Sequence, residues 1–299
     1  MSATDPVALL RGEGRLLVGH LAIGNGVAGL IQRRAVDPSR SFTATVLGSG
    51  EPVHGANGAG LVCAVLDVAG HALVSAVLEG ADSAVEAEAM LRALPPAPGP
   101  SVLLLLVDAE MALLARAGAG GVEVQTAEVG QAPDGAGIAS LVAAVRDAEP
   151  PPQPGATPAA ALAAVLTRDA PPAFHVALGP PGCSVFIRYW PGMELTPEVS
   201  ASPEGAALAR LAAAVAQTTA TDPELRRKAR DRLDRAEAEA LREGEEAERM
   251  AALMDAHTDD RGAAVRRLVA QSHAAELARQ ALEELAVPAP PGTRTGPHL

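Results

Sequence analysis

Gly55-Ala56-Asn57-Gly58-Ala59-Gly60-Leu61-Val62-Cys63-Ala64-Val65 runs three glycines and an asparagine directly into an apolar, β-branched segment. Glycine lets a backbone approach another chain or a ligand closely and adopt positive φ. The asparagine carries an amide that can donate to a carbonyl and polarise it. Two readings follow from these residues. One is a glycine-rich turn before a buried strand; the other is a turn that presents an amide to a substrate.

Outward from this stretch, Leu16 to Ile23, Ser41 to Leu47, Leu61 to Val68 and Ala72 to Val77 are expected as strands. Ser83-Ala84-Val85-Glu86 fits a capping box and should open a helix ending near Leu94. Val102 to Val107 and Met111 to Ala115 flank Asp108-Ala109-Glu110 as a hairpin, and Val122 to Val129 continues the sheet. Alanine-rich helices are expected over Ile138 to Ala148 and Pro158 to Leu166. Phe174 to Leu178 and Cys183 to Trp190 form a closing hairpin across Gly179-Pro180-Pro181-Gly182. Proline-rich breaks fall at Pro95 to Pro98, Pro150 to Pro154 and Pro288 to Pro291.

Beyond residue 200 the composition changes. Thr221-Asp222-Pro223-Glu224 supplies a cap, a proline suited to the first helical position and an early acid. A helix to about Met254 carries Leu225, Ala229, Leu233, Ala236, Ala240 and Met250 near one face. After His257-Thr258-Asp259-Asp260, a second carries Val265, Leu268, Val269, Ala275, Ala278, Leu282 and Leu285. About half of all lysines and arginines lie here, interleaved with acids, the pattern of a solvated helical hairpin.

Strand pairs without a helix after each strand predict an α+β chain. The expected architecture is a four-layer α/β/β/α sandwich of two mostly antiparallel sheets, with helices outside and a C-terminal helical hairpin. The expected divisions are 1–200 for the sandwich, 201–286 for the hairpin packed on it, and 287–299 as a disordered tail.

The 299 residues are 48% hydrophobic but only 2% aromatic, so the core must be built from Ala, Val and Leu. A net charge of −12 argues against nucleic-acid and anionic-membrane surfaces. No apolar run reaches transmembrane length, and Met1 to Pro6 has no signal-peptide pattern. Cys63 and Cys183 each lie in apolar runs and are expected as reduced, structural thiols, so a cytoplasmic protein is expected.

Three stretches together resemble the hydrolases with an amino-terminal nucleophile, in particular the secernin-like dipeptidases and the isopenicillin N acyltransferase-like amide hydrolases. Gly14-Arg15-Leu16-Leu17-Val18-Gly19-His20 stands where that family carries a motif such as Gly-Arg-Asn-x-Asp. Asn57, Gly60 and Leu61 match its Asn-x-x-Gly-Leu strand. Gly179-Pro180-Pro181-Gly182-Cys183-Ser184-Val185-Phe186 looks like its last strand motif, and the Pro223 to Ala286 hairpin resembles the secernin-like tail.

The resemblance implies linear-amide hydrolysis or acyl transfer on a small amide or peptide, with no cofactor and no metal. In such enzymes the free α-amine, with a pKa of about 8, serves as base for its own side chain. The family's nucleophile is a cysteine, and none occurs near this start. Ser2 is the residue that could replace it once Met1 is removed. The resemblance then casts Asn57 as oxyanion donor and Arg15 and His20 as substrate-binding. Leu21 and Ile23 stand where the family carries Asn and Asp, and apolar side chains there can neither donate, accept nor carry charge. Losing several members of a catalytic unit leaves little rate enhancement. Two functions are therefore expected: a catalytically degenerate relative that binds or assembles, or an active amidase or acyltransferase using Ser2.

Other constellations are weaker. Gly24-Asn25-Gly26-Val27-Ala28-Gly29 matches neither a dinucleotide fingerprint nor a P-loop. His54, His71 and His175 lack metal-ligand spacing. Tyr189 and Trp190 beside Arg188 suit either core packing or a pocket wall. The apolar stripes of the hairpin predict a homodimer, with Leu268, Val269 and Leu282 among the buried tail residues.

Overall fold

In the computed structural model the chain runs β1 (Val7–Gly12), β2 (Arg15–Ile23), β3 (Ala28–Arg33), β4 (Phe42–Leu47), β5 (Glu51–Asn57) and β6 (Val62–Val65). Then come α1 (Ala72–Gly80), α2 (Ala84–Ala93), β7 (Val102–Val107), β8 (Ala112–Gly118), β9 (Gly121–Thr126), β10 (Gly130–Gln131) and α3 (Ile138–Asp147). It ends with β11 (Pro158–Thr167), β12 (Ala173–Leu178), β13 (Ile187–Tyr189), α4 (Ala207–Thr219), α5 (Pro223–Ala256) and α6 (Asp260–Ala286). The structure describes residues 7–24, 27–48, 51–66, 72–95, 100–148, 158–168, 172–201, 206–257 and 259–286. Ser2, Asn25, Gly26, His71, the breaks at 150–154 and 288–291, and the tail 287–299 lie outside the described residues.

This is a mixed α+β chain with two sheets and six helices among the described residues. One sheet has the order β10-β1-β2-β11-β12-β13, the other β3-β4-β5-β6-β7-β8-β9. Among the described residues, the pairings between these strands are antiparallel except β1 with β10, and Leu30 of β3 makes an isolated parallel bridge to Ser200.

Strand alternation sorts the side chains. Leu16 and Val18 of β2, Leu162 and Leu166 of β11, and Val176 of β12 share one core with Leu30, Val62, Leu105 and Val107 of the other sheet. The intervening residues point the opposite way. Leu17, Leu21, Ala161 and Ala163 pack under Leu141, Val142 and Val145 of α3. Cys63, Leu104 and Leu106 pack under Val74, Val77 and Leu78 of α1 and Leu91 of α2. Gly19 on β2 lets α3 come close: a Cβ there would lie 2.4 Å from Val145 Cγ2.

Two expected elements are corrected. Ala72 to Val77 is the start of α1 and not a strand: Val74, Val77 and Leu78 fall at i, i+3 and i+4 and are all buried. Pro158 to Leu166 is strand β11 and not a helix. Its central place between β2 and β12 buries both faces, and that burial overrides alanine's helix propensity.

The opening stretch also divides differently. Gly55 to Asn57 belongs to β5, and the turn proper is Gly58 to Gly60, with Gly60 at φ +92°. Strands β1 and β3 and helix α4 were not expected from the pattern. The capping box is present in altered form. Ser83 Oγ accepts from the Glu86 amide, while the Glu86 carboxylate reaches back to Asp82 N instead of Ser83 N.

Helices α4, α5 and α6 gather at the β12–β13 end of the first sheet. Ala229, Leu233, Ala236 and Ala240 of α5 and Ala274, Ala278, Ala281 and Leu282 of α6 join the core between the sheets. The expected stripe is therefore only partly the buried one. Alanines carry the packing, whereas Leu225, Met250, Val265 and Val269 are exposed and Leu268 is half-buried. Small side chains let two long helices approach each other and the sheet edge, which larger residues on that face would prevent.

Candidate functional site

Asn57 closes the β5–β6 turn and is fully buried. Its Oδ1 accepts from Leu61 N at 3.0 Å. Its Nδ2 donates to the carbonyls of Leu78 at 3.1 Å and Ala81 at 2.8 Å, at the C-terminal end of α1. An amide group has two hydrogens, and here both serve to tie a turn to a helix end.

His20 of β2 and His54 of β5 meet between the two sheets. Both side chains are fully buried, and their Nδ1 atoms lie 2.8 Å apart in an edge-on arrangement. His20 shares the inward parity of Leu16 and Val18, and His54 that of Ala56. Removal from water pushes the His20 imidazole down to about 4, although a hydrogen bond to the Val65 carbonyl opposes the shift. Burial, and then the neighbouring His20, holds His54 well below the usual histidine range. Both rings are neutral at pH 7.

Beside His54 lies a cavity of about 10 Å³ lined by Thr43, Thr45, His54, Phe174, Val176 and Tyr189. Among the described residues, Thr43 Oγ1, Thr45 Oγ1, His54 Nε2 and the Tyr189 hydroxyl have no hydrogen-bond partner. Burial keeps the Tyr189 phenol protonated. A wider cleft of about 460 Å³ opens on the β1 side of the inter-sheet space. Val7, Leu9, Leu66, Leu105 and Leu114 line it, with Gln125, Thr126 and Glu128 also on its walls.

The residues cast for catalysis and binding are not all brought together. Ser2 lies outside the described residues. Arg15 begins β2, partly exposed, and pairs with Glu13 at 2.8 Å. It stands five residues from His20, roughly 16 Å along an extended strand. Leu21, which the resemblance sets against a family asparagine, faces outward into the α3 core. His175 points away from the other two histidines; burial and the adjacent Arg188 hold its imidazole well below the ordinary range. Cys63 is buried and burial raises its thiol, so it is held as S–H. Among the described residues, no group of three or more His, Cys, Asp or Glu could hold a metal ion. Among them, too, no helix is long and apolar enough to cross a membrane.

Sequence reasoning missed the partnership of His20 with His54. The available signal was that each histidine takes an inward place in a strand whose other inward residues are apolar. It also missed Glu237 and Glu248, which stand on the buried side of α5. Glu248 accepts from Trp190 Nε1 at 2.6 Å and Arg267 Nη2 at 2.9 Å, and pairs with Arg188 at 3.3 Å.

No protein-family model matches the chain, and no curated protein matches it. Among solved structures, the chain is similar to the penicillin V acylase of Agrobacterium tumefaciens. Identity is 15% and the TM-score 0.42, over 62% of this chain and 86% of that one.

Proposed function

We propose that the chain is a catalytically degenerate relative of the amino-terminal-nucleophile amide hydrolases and acyltransferases, acting through binding or assembly. In this reading the two sheets and their flanking helices form the four-layer α/β/β/α sandwich of that class. The observation that carries it is Asn57. The side chain that the resemblance casts as oxyanion donor already gives both amide hydrogens to backbone carbonyls, and an oxyanion donor must be free to meet developing charge.

Two further features agree. Leu21 and Ile23 replace the polar pair of the family motif. The open cleft has an aliphatic lining, and among its lining residues Glu128 is the one ionisable group. The surface left for assembly is on the hairpin, where Val265 and Val269 are exposed one turn apart on α6, and the partner we assign to it is a second copy of the chain.

The test is turnover on purified protein. Its intact mass establishes whether Met1 is removed, and dipeptides, N-acyl amino acids and acyl-CoA donors are then offered. The expected result is no amidase or acyl-transfer activity, with Ser2→Ala indistinguishable from wild type. Turnover by a chain beginning at Ser2 that vanishes in Ser2→Ala overturns the reading in favour of a serine nucleophile.

A further inference from the structure

We infer that the outer edge of β9 is a docking edge for an extended, basic segment of another polypeptide, which adds to the seven-stranded sheet as a further strand. Among the described residues the two sheets end at β10, β13, β3 and β9. Three of these ends are managed. Strand β10 has two residues and β13 three, with α5 and α6 packed against β13. At β3, Leu30 N donates to the Val199 carbonyl at 2.7 Å and Ala201 N to the Leu30 carbonyl at 2.9 Å. Strand β9 has six residues, no proline or lysine, and an unbroken register with β8. Such a strand at a sheet edge presents a row of backbone donors and acceptors for pairing.

The row can be assigned residue by residue. Ala127 N donates inward, to the Ala112 carbonyl at 2.9 Å. Backbone groups alternate in direction along an antiparallel strand, so Glu123 and Gln125 turn theirs toward β8, while Val122, Val124 and Thr126 turn theirs outward. The Val122 carbonyl accordingly accepts from Arg92 Nη1 at 3.1 Å. Arg92 thereby closes one end of the row. The amides and carbonyls of Val124 and Thr126 meet no other protein group among the described residues.

Side chains set the chemistry of the added strand. Val122 and Val124 pack, partly buried, against the core under α1 and α2. Glu123 and Gln125 lie on the other face and are exposed. Glu123 has no ion pair among the described residues, since its cross-strand neighbour Arg116 turns to Ser101 Oγ. An incoming strand therefore sets an apolar side chain beside Val124 and a lysine or arginine beside Glu123, both favourable cross-strand pairs. The same carboxylate disfavours a second copy here. Two β9 edges would bring together acidic strands of a chain whose net charge is −12.

The test uses the full chain, ¹⁵N-labelled and deuterated. In the free protein the Val124 and Thr126 amides should exchange far faster than those of Glu123 and Gln125. Equal protection would show that the edge is already covered, and overturns the proposal. A capped heptapeptide alternating valine and lysine should then slow exchange at Val124 and Thr126, and its glutamate counterpart should not. Glu123→Lys should weaken the lysine peptide roughly three- to tenfold and admit the glutamate peptide. Val124→Pro removes an outward N–H where an edge strand tolerates proline, and should abolish binding of the lysine peptide. If that variant does not fold, Glu123→Lys decides alone. A lysine peptide that leaves β9 unprotected at millimolar concentration overturns the proposal, as does equal binding of the two peptides by wild type. Protection of Val124 that rises with protein concentration alone identifies a second copy as the occupant and likewise overturns it.

Discussion

Glu237 of α5 holds Arg146 of α3 through a charge-assisted hydrogen bond, and the same carboxylate oxygen accepts from the Phe186 amide at 2.9 Å. One side chain thus joins the helical hairpin, the helix over the first sheet and the segment entering β13. Arg146 also donates to the Pro181 carbonyl at 3.1 Å, and Arg230 meets the Pro181 and Gly182 carbonyls at 3.2 and 3.1 Å. Removing one partner of a buried pair leaves the other charge uncompensated, at a cost of about 3–5 kcal/mol. Glu237→Ala should therefore lower the urea midpoint severely. Glu237→Gln, which can still accept from Phe186 N, should cost less. Equal midpoints for wild type and Glu237→Ala would show that hairpin docking does not depend on this carboxylate.

Asn57→Ala removes three hydrogen bonds and leaves the Leu78 and Ala81 carbonyls and the Leu61 amide without their partner. With each stranded buried group costing about 1–3 kcal/mol, the loss should be several kcal/mol, read by thermal melting. Asn57→Asp should be as severe, because a carboxylate cannot donate to the two carbonyls. A melting temperature within a degree of wild type for Asn57→Ala would mean that this side chain does not hold the turn to α1.

Acid should destabilise the fold between about pH 6.5 and pH 4. His20, His54 and His175 have folded pKa values below the unfolded value, so the unfolded chain binds more protons in this window and stability falls as pH falls. It is fully present above the unfolded pKa of about 6.5. His20, pushed down to about 4, alone accounts for roughly 3 kcal/mol of that loss. The groups nearest it are His54 and the Val65 carbonyl; those nearest His175 are Arg188 and, through it, Glu248. His175→Leu should flatten the decline, since it removes one buried titrating ring whose nitrogens have no hydrogen-bond partner among the described residues. Denaturation midpoints at pH 7.5, 6.0 and 5.0 decide it, and a pH-independent wild type contradicts the assignment.

The α+β character was legible in the order of strand pairs, with no helix after each strand; β2 is buried on both faces, Leu16, Val18 and His20 turned to one side and Leu17 and Leu21 to the other. Alanine was where legibility failed. Ala160 to Ala164 is alanine except at Leu162, too slight a contrast between faces to outweigh its strong helix propensity, and only the strands on either side make it β11. Ala72 to Val77 failed in the opposite sense, as a short apolar run whose period cannot be settled alone. At the site, Asn57 could be singled out but its partners could not, because Leu78 and Ala81 contribute backbone oxygens that carry no residue signature. The His20–His54 contact joins positions 34 residues apart on different sheets, a pairing that local spacing does not encode.

Gly19→Ala should destabilise by about 1–3 kcal/mol, the usual range for overpacking. The added methyl would fall 2.4 Å from Val145 Cγ2 and 3.3 Å from Leu141 Cδ1, both on α3. Val145→Ala alone leaves a cavity and should also destabilise. Combined, the two changes should cost less than their sum, because each removes the other's defect. Strict additivity in urea denaturation would place the glycine's role elsewhere than in the approach of α3 to β2.

Leu282 is only 1% exposed within a single chain, so replacing it with an acid would disrupt folding before it reported on any interface. Val265 and Val269 are different. Each is 53% exposed, they lie one turn apart on α6, and their helix is otherwise rich in charge. Covering such side chains contributes about 1 kcal/mol or more apiece, and a twofold contact would bury four of them. Light scattering at micromolar concentration should give twice the chain mass for wild type and the single-chain mass for Val265→Glu/Val269→Glu, with unchanged circular dichroism. A monomeric wild type excludes the dimer. A variant that remains dimeric moves the interface away from this face of α6.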